Sequence, residues 1–230
     1  MQHFIINADL TKKEVVITDK NVAHQMKSVL RFKTGDEIIL MDGQGTKAKG
    51  EITELHKKGA HINLHGHEVL EAPHRQLRLA VGIPKKPSTL ELIVQKATEI
   101  GVTDIIPLAT ERCQVTHLRK LDRLKMIINE ACEQCERAYT PKLHEVQTLN
   151  NLKLSGLTLA GDAREPEIEL RSVKFQEHEA INIIIGPEGG LTETEIQELK
   201  NTGVQIFLLG ENILRMETAA IAALSLVQFG

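Results

Sequence analysis

The sequence predicts an α/β fold in two parts: a small β-rich domain over residues 1–72, then a parallel-sheet domain over residues 73–230. Three observations carry this. Short alternating segments separated by Gly and Asp turns fill the first part. The segment Glu71-Ala-Pro-His-Arg75 breaks that rhythm. Beyond it, continuous apolar runs of strand length alternate with helical patterns, as in a parallel sheet covered on both faces.

In the first part, HFII, DEIILMD, KAKGEITEL and AHINLHGH read as strands, and Asn21–Leu30 as a helix. Many short strands with glycine turns suggest a small barrel. In the second part, LRLAVGI, TDIIPLA, LTLAGDA, INIIIG and VQIFLLG read as buried strands. Helices are expected over Thr89–Ile100, Leu118–Arg137, Thr192–Asn201 and Glu217–Gln228. Hydrophobic residues form 41% of the 230 and charged residues 26%, enough for a substantial core. No leader-like segment and no apolar run of membrane-spanning length is present, and three cysteines are too few for a disulfide framework. These features predict a cytoplasmic protein.

The net charge of −3 is unevenly spread. Residues 1–72 are neutral, residues 73–150 carry a net +3 and residues 151–230 a net −6. The middle third is the better face for a polyanion. Aromatic residues form only 3% of the chain, so an RNA partner must be held through arginine and backbone contacts more than by base stacking.

The sharpest local signal is INIIIGPEGGLTETEI, Ile181–Ile196. A buried strand enters Gly186-Pro187-Glu188-Gly189-Gly190, and Thr192 and Glu195 then form a capping box that opens a helix. Ligands of open α/β sheets bind at that edge, where glycines let them lie against the backbone. A second loop, Leu209 to Arg215, ends the next strand in the same way. Neither loop has the spacing of a phosphate cradle, and Pro187 and Glu188 bring no positive charge. A ligand with adenine and ribose but no phosphate fits better, with Leu209, Ile213 and Leu214 packing its faces.

At these residues the sequence closely resembles the bacterial 16S ribosomal RNA uridine-N3 methyltransferases of the knotted SPOUT class. The resemblance rests on GPEGG, on LGENILRMETAA (Leu209–Ala220), on QKATEIGV (Gln95–Val102), on the Glu111-Arg112 pair and on EACEQCER (Glu130–Arg137). The segment HQMKSVLRFKTGDEI (His24–Ile38) is similar to the family's RNA-binding barrel. The resemblance implies a PUA-like barrel followed by a SPOUT domain with a trefoil knot. It implies S-adenosylmethionine as donor and S-adenosylhomocysteine as product, no metal, and a homodimer. It implies uridine N3 of 16S rRNA in the small ribosomal subunit as target, with neither DNA nor membrane as partner. The expected cofactor contacts are Gly186, Pro187, Glu188, Gly189, Gly190, Leu209, Gly210, Asn212, Ile213, Leu214, Thr218 and Ala219. The family often has a basic residue where this chain has Asn212.

Uridine N3–H is a weak acid, so the reaction needs proton removal or stabilisation of the forming anion. Arg112 and Arg215 are candidates for the second task and Glu217 for a base or an orienting group. Arg31, Lys33 and Arg137 are candidate phosphate contacts. Cys132-x-x-Cys135 lacks a second ligand pair and does not suggest zinc. The final helix is apolar nearly all round, and Ala219, Ala220, Ala222 and Ala223 would permit close approach of a second copy. A non-catalytic RNA-binding protein and a methyltransferase of ribose 2′-OH or of tRNA are the alternatives.

Overall fold

The computed structural model describes residues 1–118, 121–175 and 180–230. It divides into two compact units, residues 1–72 with 132–140, and residues 73–131 with 141–230. The turn after the third helix thus packs with the first unit, a placement set by contacts far apart in sequence.

The first unit is a five-stranded sheet. Its strands are β1 (His3–Ile5), β2 (Glu14–Ile17), β3 (Glu37–Met41), β4 (Thr46–His56) and β5 (Gly59–Val69), in the order β1-β3-β4-β5-β2. β3, β4 and β5 form antiparallel pairs, while β1 runs parallel to β3. Alternation places Phe4, Ile38, Leu40, Ile52 and Ile62 in the core. Strand β2 was not anticipated: its EVVI pattern is only four residues long and is flanked by charge. The expected helix begins as α1 (Lys20–His24), where the Asp19 carboxylate accepts from the Asn21 N–H at 2.7 Å. It continues as a π-turn over Gln25–Val29. That wider turn carries Met26 into the core and ends at Arg31, whose φ is +59°.

The second unit is a seven-stranded sheet whose paired strands are all parallel. Its elements are β6 (Gln76–Gly82), α2 (Pro87–Ile100), β7 (Asp104–Leu108), α3 (Leu121–Gln134), β8 (Lys142–Leu143), β9 (Leu157–Gly161), β10 (Ile168–Glu169), β11 (Ala180–Ile185), α4 (Glu193–Asn201), β12 (Gln205–Leu208) and α5 (Met216–Phe229). The strand order is β10-β12-β9-β11-β6-β7-β8. The near-continuous apolar runs of β6 and β11 occupy central positions, buried on both faces. The start of the helix expected from Leu118 includes residues 119 and 120, which lie outside the described residues; α3 also stops three residues short of Arg137. The short strands β8 and β10 were not anticipated.

The fold class is the expected one, a mixed α/β chain with a small N-terminal β domain. Strand β12 lies between β9 and β10, which are themselves joined by a short connection, so that connection must cross the place where β12 is inserted. Sequence periodicity carries no trace of this strand order.

Helix α5 corrects one expectation. Ala220 and Ala223 are 0% exposed within the chain itself, so they are not available to a second copy. The incompletely covered stripe is Ala222, Ser225 and Phe229, with Ile221 beside it. The buried stripe is Met216, Ala220, Ala223, Leu224 and Val227, the 3.6-residue repeat of one helix face.

Candidate active site

Three strands of the second unit, β9, β11 and β12, are neighbours or near neighbours in the sheet, and their carboxyl ends open onto one cavity of ≈ 580 Å³. Parallel register makes this convergence possible, because it brings every strand's carboxyl end to the same edge. The loops after β11 and β12 are the two glycine loops. Gly186, Pro187, Glu188, Gly189, Gly190, Leu209, Gly210, Asn212, Ile213, Leu214, Arg215, Glu217 and Ala219 all line the cavity. Thr218, expected among them, is exposed and not part of the lining.

The third loop, after β9, was read only as a strand end. It supplies Asp162 and Arg164. The Asp162 side chain is 6% exposed and takes two hydrogen bonds from the Arg164 side chain, at 3.1 and 2.5 Å. Burial alone would raise this carboxyl's pKa. The Arg164 hydrogen bonds outweigh burial and hold it below the usual carboxylate range. The same hydrogen bonds raise Arg164 above its ordinary value.

The GPEGG loop is braced from four directions. Arg112 Nη1 donates to the carbonyls of Gly189 and Leu191 at 2.9 and 3.0 Å. Arg164 Nη2 donates to that same Leu191 carbonyl at 2.5 Å. Glu188 Oε1 accepts from the Lys85 N–H at 3.0 Å, tying the loop to the β6–α2 turn. The capping box forms as its spacing requires: Thr192 Oγ1 accepts from Glu195 N and Glu195 Oε2 from Thr192 N. Glu195 Oε1 reaches further and accepts from Glu111 N, while the Glu111 carboxylate accepts from the Thr192 hydroxyl. Arg112 is therefore a brace of the loop, with Nη1 already committed to backbone carbonyls. From sequence, Arg112 was a candidate partner for the forming uracil anion.

At Gly82 the end of β6 comes hard against the GPEGG loop. A Cβ there would lie 2.5 Å from Pro187 N and 2.9 Å from Gly186 C. Only glycine lets the end of β6 touch the loop. Gly190 has φ +70°.

The β12–α5 loop contrasts with this bracing. Residues 210–214 make no hydrogen bond to the rest of the described chain, and Ile213 is 86% exposed at the cavity lip. Arg215 is exposed at the helix N-cap and Glu217 is half-buried in the first turn.

The residues expected to meet RNA all fall in the first unit. Arg31 and Lys33 are exposed. Arg137 is half-buried and engaged within the chain, and burial lowers its pKa. It is a poorer phosphate contact than its charge alone suggested. Cys132 is buried, and burial pushes its thiol up to about 12. Among the described residues no group of three or more His, Cys, Asp or Glu is placed to hold a metal. No helix among them is long and apolar enough to cross a membrane.

The sequence missed Asp162, Arg164, Lys85, Lys86 and Gly82. A GDAR turn and a PKKP turn look like ordinary surface loops until the sheet places them beside the glycines.

Comparison with known proteins agrees with this geometry. A family profile described as an RNA methyltransferase domain matches residues 70–228, and one described as an RNA methyltransferase PUA domain matches residues 17–64. The ribosomal RNA small subunit methyltransferase E of Rickettsia conorii is 35% identical, over 97% of this chain and 93% of its own. That of Bacillus subtilis is 30% identical, over 100% of this chain and 96% of its own. The crystal structure of the Neisseria gonorrhoeae enzyme of the same name, bound to S-adenosyl methionine, superposes with a TM-score of 0.89 at 29% identity, covering 99% of this chain and 97% of that one. A putative methyltransferase from Legionella pneumophila in complex with the same cofactor gives 0.88 at 29% identity, covering 99% and 96%. Matched along nearly its whole length in sequence and in fold, the chain belongs to the RNA methyltransferase family, among the ribosomal RNA small subunit methyltransferase E proteins.

Proposed function

We propose that this protein transfers a methyl group from S-adenosylmethionine to N3 of a uridine in 16S rRNA, acting as a cytoplasmic homodimer. The observation that carries the reading is the cavity itself, at the carboxyl ends of β9, β11 and β12. Its size lies in the range of small-molecule sites. Its lip offers an unbonded backbone over residues 210–214 and the uncovered side chain of Ile213. Such a lip suits the polar edge and apolar faces of an adenine. The half-buried carboxylate of Glu217 suits a donor that carries a sulfonium charge.

The two glycine loops would hold the donor, which supplies an electrophilic methyl group when bound. The chain must then orient the target base and deal with its N3 proton. Glu217, half-buried on the first turn of α5, is the candidate acceptor for that proton. Arg215, exposed beside it, is the candidate partner for a uracil oxygen as charge develops. Arg112 and Arg164 keep the GPEGG loop in place while this happens. Arg31 and Lys33 of the N-terminal domain are proposed contacts to RNA phosphates.

Nucleoside mass spectrometry of small-subunit rRNA, incubated with protein and donor, tests the activity. N3-methyluridine is the expected product. A ribose 2′-O-methyl nucleoside, or rRNA left unmodified, would overturn the reading.

Donor placement is tested at Ala219, which lines the cavity from a regular helix. Leucine is tolerated by helix geometry, so Ala219→Leu fills space without straining the backbone. Donor affinity should fall at least about tenfold while the melting temperature barely moves. Undiminished affinity would place the donor elsewhere. Gly190→Val is a poorer probe, because φ of +70° strains any β-branched residue there.

The stripe Ala222, Ser225 and Phe229 on α5 is proposed as the self-complementary interface. Ala222→Arg should give monomers in sedimentation and lose most methyl transfer. A fully active monomer, wild type or variant, excludes the dimer as the working form.

A further inference from the structure

We propose that Lys85 and Lys86, in the turn between β6 and α2, grip RNA phosphates beside the target nucleotide. The inference rests on the rRNA methyltransferase reading and adds a second RNA contact surface, on the catalytic domain itself.

Four cations line the cavity: Lys85, Lys86, Arg164 and Arg215. Arg164 is consumed by Asp162 and the Leu191 carbonyl. Lys85, Lys86 and Arg215 are exposed, and none has a carboxylate partner among the described residues. Unpaired lysines on an open surface are ordinary. These two stand at the rim of a cavity whose other ionisable groups include Asp162, Glu188 and Glu217. An uncharged base entering the cavity has no use for two ammonium groups at the rim, whereas the phosphates that accompany it do.

The turn is also built to stay still. Pro84 and Pro87 bracket the lysines in Ile83-Pro84-Lys85-Lys86-Pro87 and fix φ on either side. Pro87 opens α2 with Lys86 at the N-cap, so the positive end of a 14-residue helix adds to the lysine charges. Glu188 of the GPEGG loop accepts from the Lys85 N–H, and Gly82 packs directly on Pro187. The lysine turn is thus fastened to the loop assigned to the donor. Phosphates held there would be held in register with the transferred methyl group. That is a positioning role, exerted through the RNA backbone.

The test is the double variant Lys85→Ala/Lys86→Ala beside Lys85→Arg/Lys86→Arg, in the full-length protein. Three measurements are made: donor affinity, affinity for the small-subunit rRNA across a salt series, and steady-state methyl transfer. For the alanine variant, donor affinity should stay within about twofold and RNA affinity should fall roughly tenfold at moderate salt. The slope of log affinity against log salt should become shallower by about 1.4, two single-strand phosphate contacts. The loss should appear in KM for RNA far more than in kcat. The arginine variant should recover most of it. An active wild type with unchanged RNA affinity and salt slope in the alanine variant overturns the lysine assignment alone. So does a loss confined to kcat. A wild type that binds donor but methylates no rRNA overturns the underlying reading and the assignment with it.

Discussion

Replacing Arg112 with alanine should lower methyl transfer by about a hundredfold and weaken donor binding by roughly tenfold in the same protein. Both losses follow from where Nη1 goes. It donates to the carbonyls of Gly189 and Leu191, from a position 77 and 79 residues earlier in the chain. A charged donor on two carbonyls is worth more than a neutral one, though exposure of Arg112 moderates it. Without the arginine, the loop relaxes around its remaining ties to Arg164, Lys85 and the capping box. The donor then meets a less ordered cradle, and the reacting atoms lose alignment. A displacement of about 1 Å is enough for a hundredfold loss in rate. Single-turnover transfer measured beside equilibrium donor affinity separates this from direct chemistry. Intact donor binding with lost transfer would show that Arg112 serves the uracil anion, through the donors that Nη1 leaves free.

Gly82→Ala should damage both the stability of the catalytic domain and its hold on the donor. The new Cβ would sit 2.5 Å from Pro187 N, 2.7 Å from Pro187 Cδ and 2.9 Å from Gly186 C. Those atoms are backbone or ring, so no rotamer change relieves them. Overpacking of this kind costs about 1–3 kcal/mol of stability. It also forces the GPEGG loop away from β6, since β6 is pinned on both sides by β7 and β11. Donor affinity should fall by more than about tenfold, with a visible loss of melting temperature. Thermal unfolding and donor titration on one preparation test both arms. A stable variant with full donor affinity would mean that the loop tolerates displacement and is not a rigid cradle.

Much of the fold was legible because its determinants are local. The continuous apolar runs of β6, β7, β9, β11 and β12 are strands in the structure, and their sequence already implied burial on both faces. The capping box at Thr192 and Glu195 needs only a three-residue spacing, and it forms as read. The glycine loops were legible for the same reason: two strand ends, each followed by glycine and then a helix. What misled was also local. The helix over residues 21–30 has a helical pattern throughout, but burial of Met26 goes with a π-turn in its second half. Helix α5 is apolar nearly all round, so its composition could not say which alanines face the sheet.

By itself, the sequence determined the two-part α/β organisation and the two glycine loops that follow successive strands at one edge of the sheet. Each depends on neighbours within a few residues, where φ preference, hydrophobic period and capping act. The tertiary structure alone decided that β12 lies between β9 and β10. It alone brought Asp162, Arg164, Lys85 and Lys86 to the glycine loops, turned Arg112 into a brace, and sealed Ala220 and Ala223 inside the chain. Those outcomes include contacts across 27, 77 and 103 positions of sequence. Their partners are chosen by which strands pair in the parallel sheet, and no local preference encodes that choice.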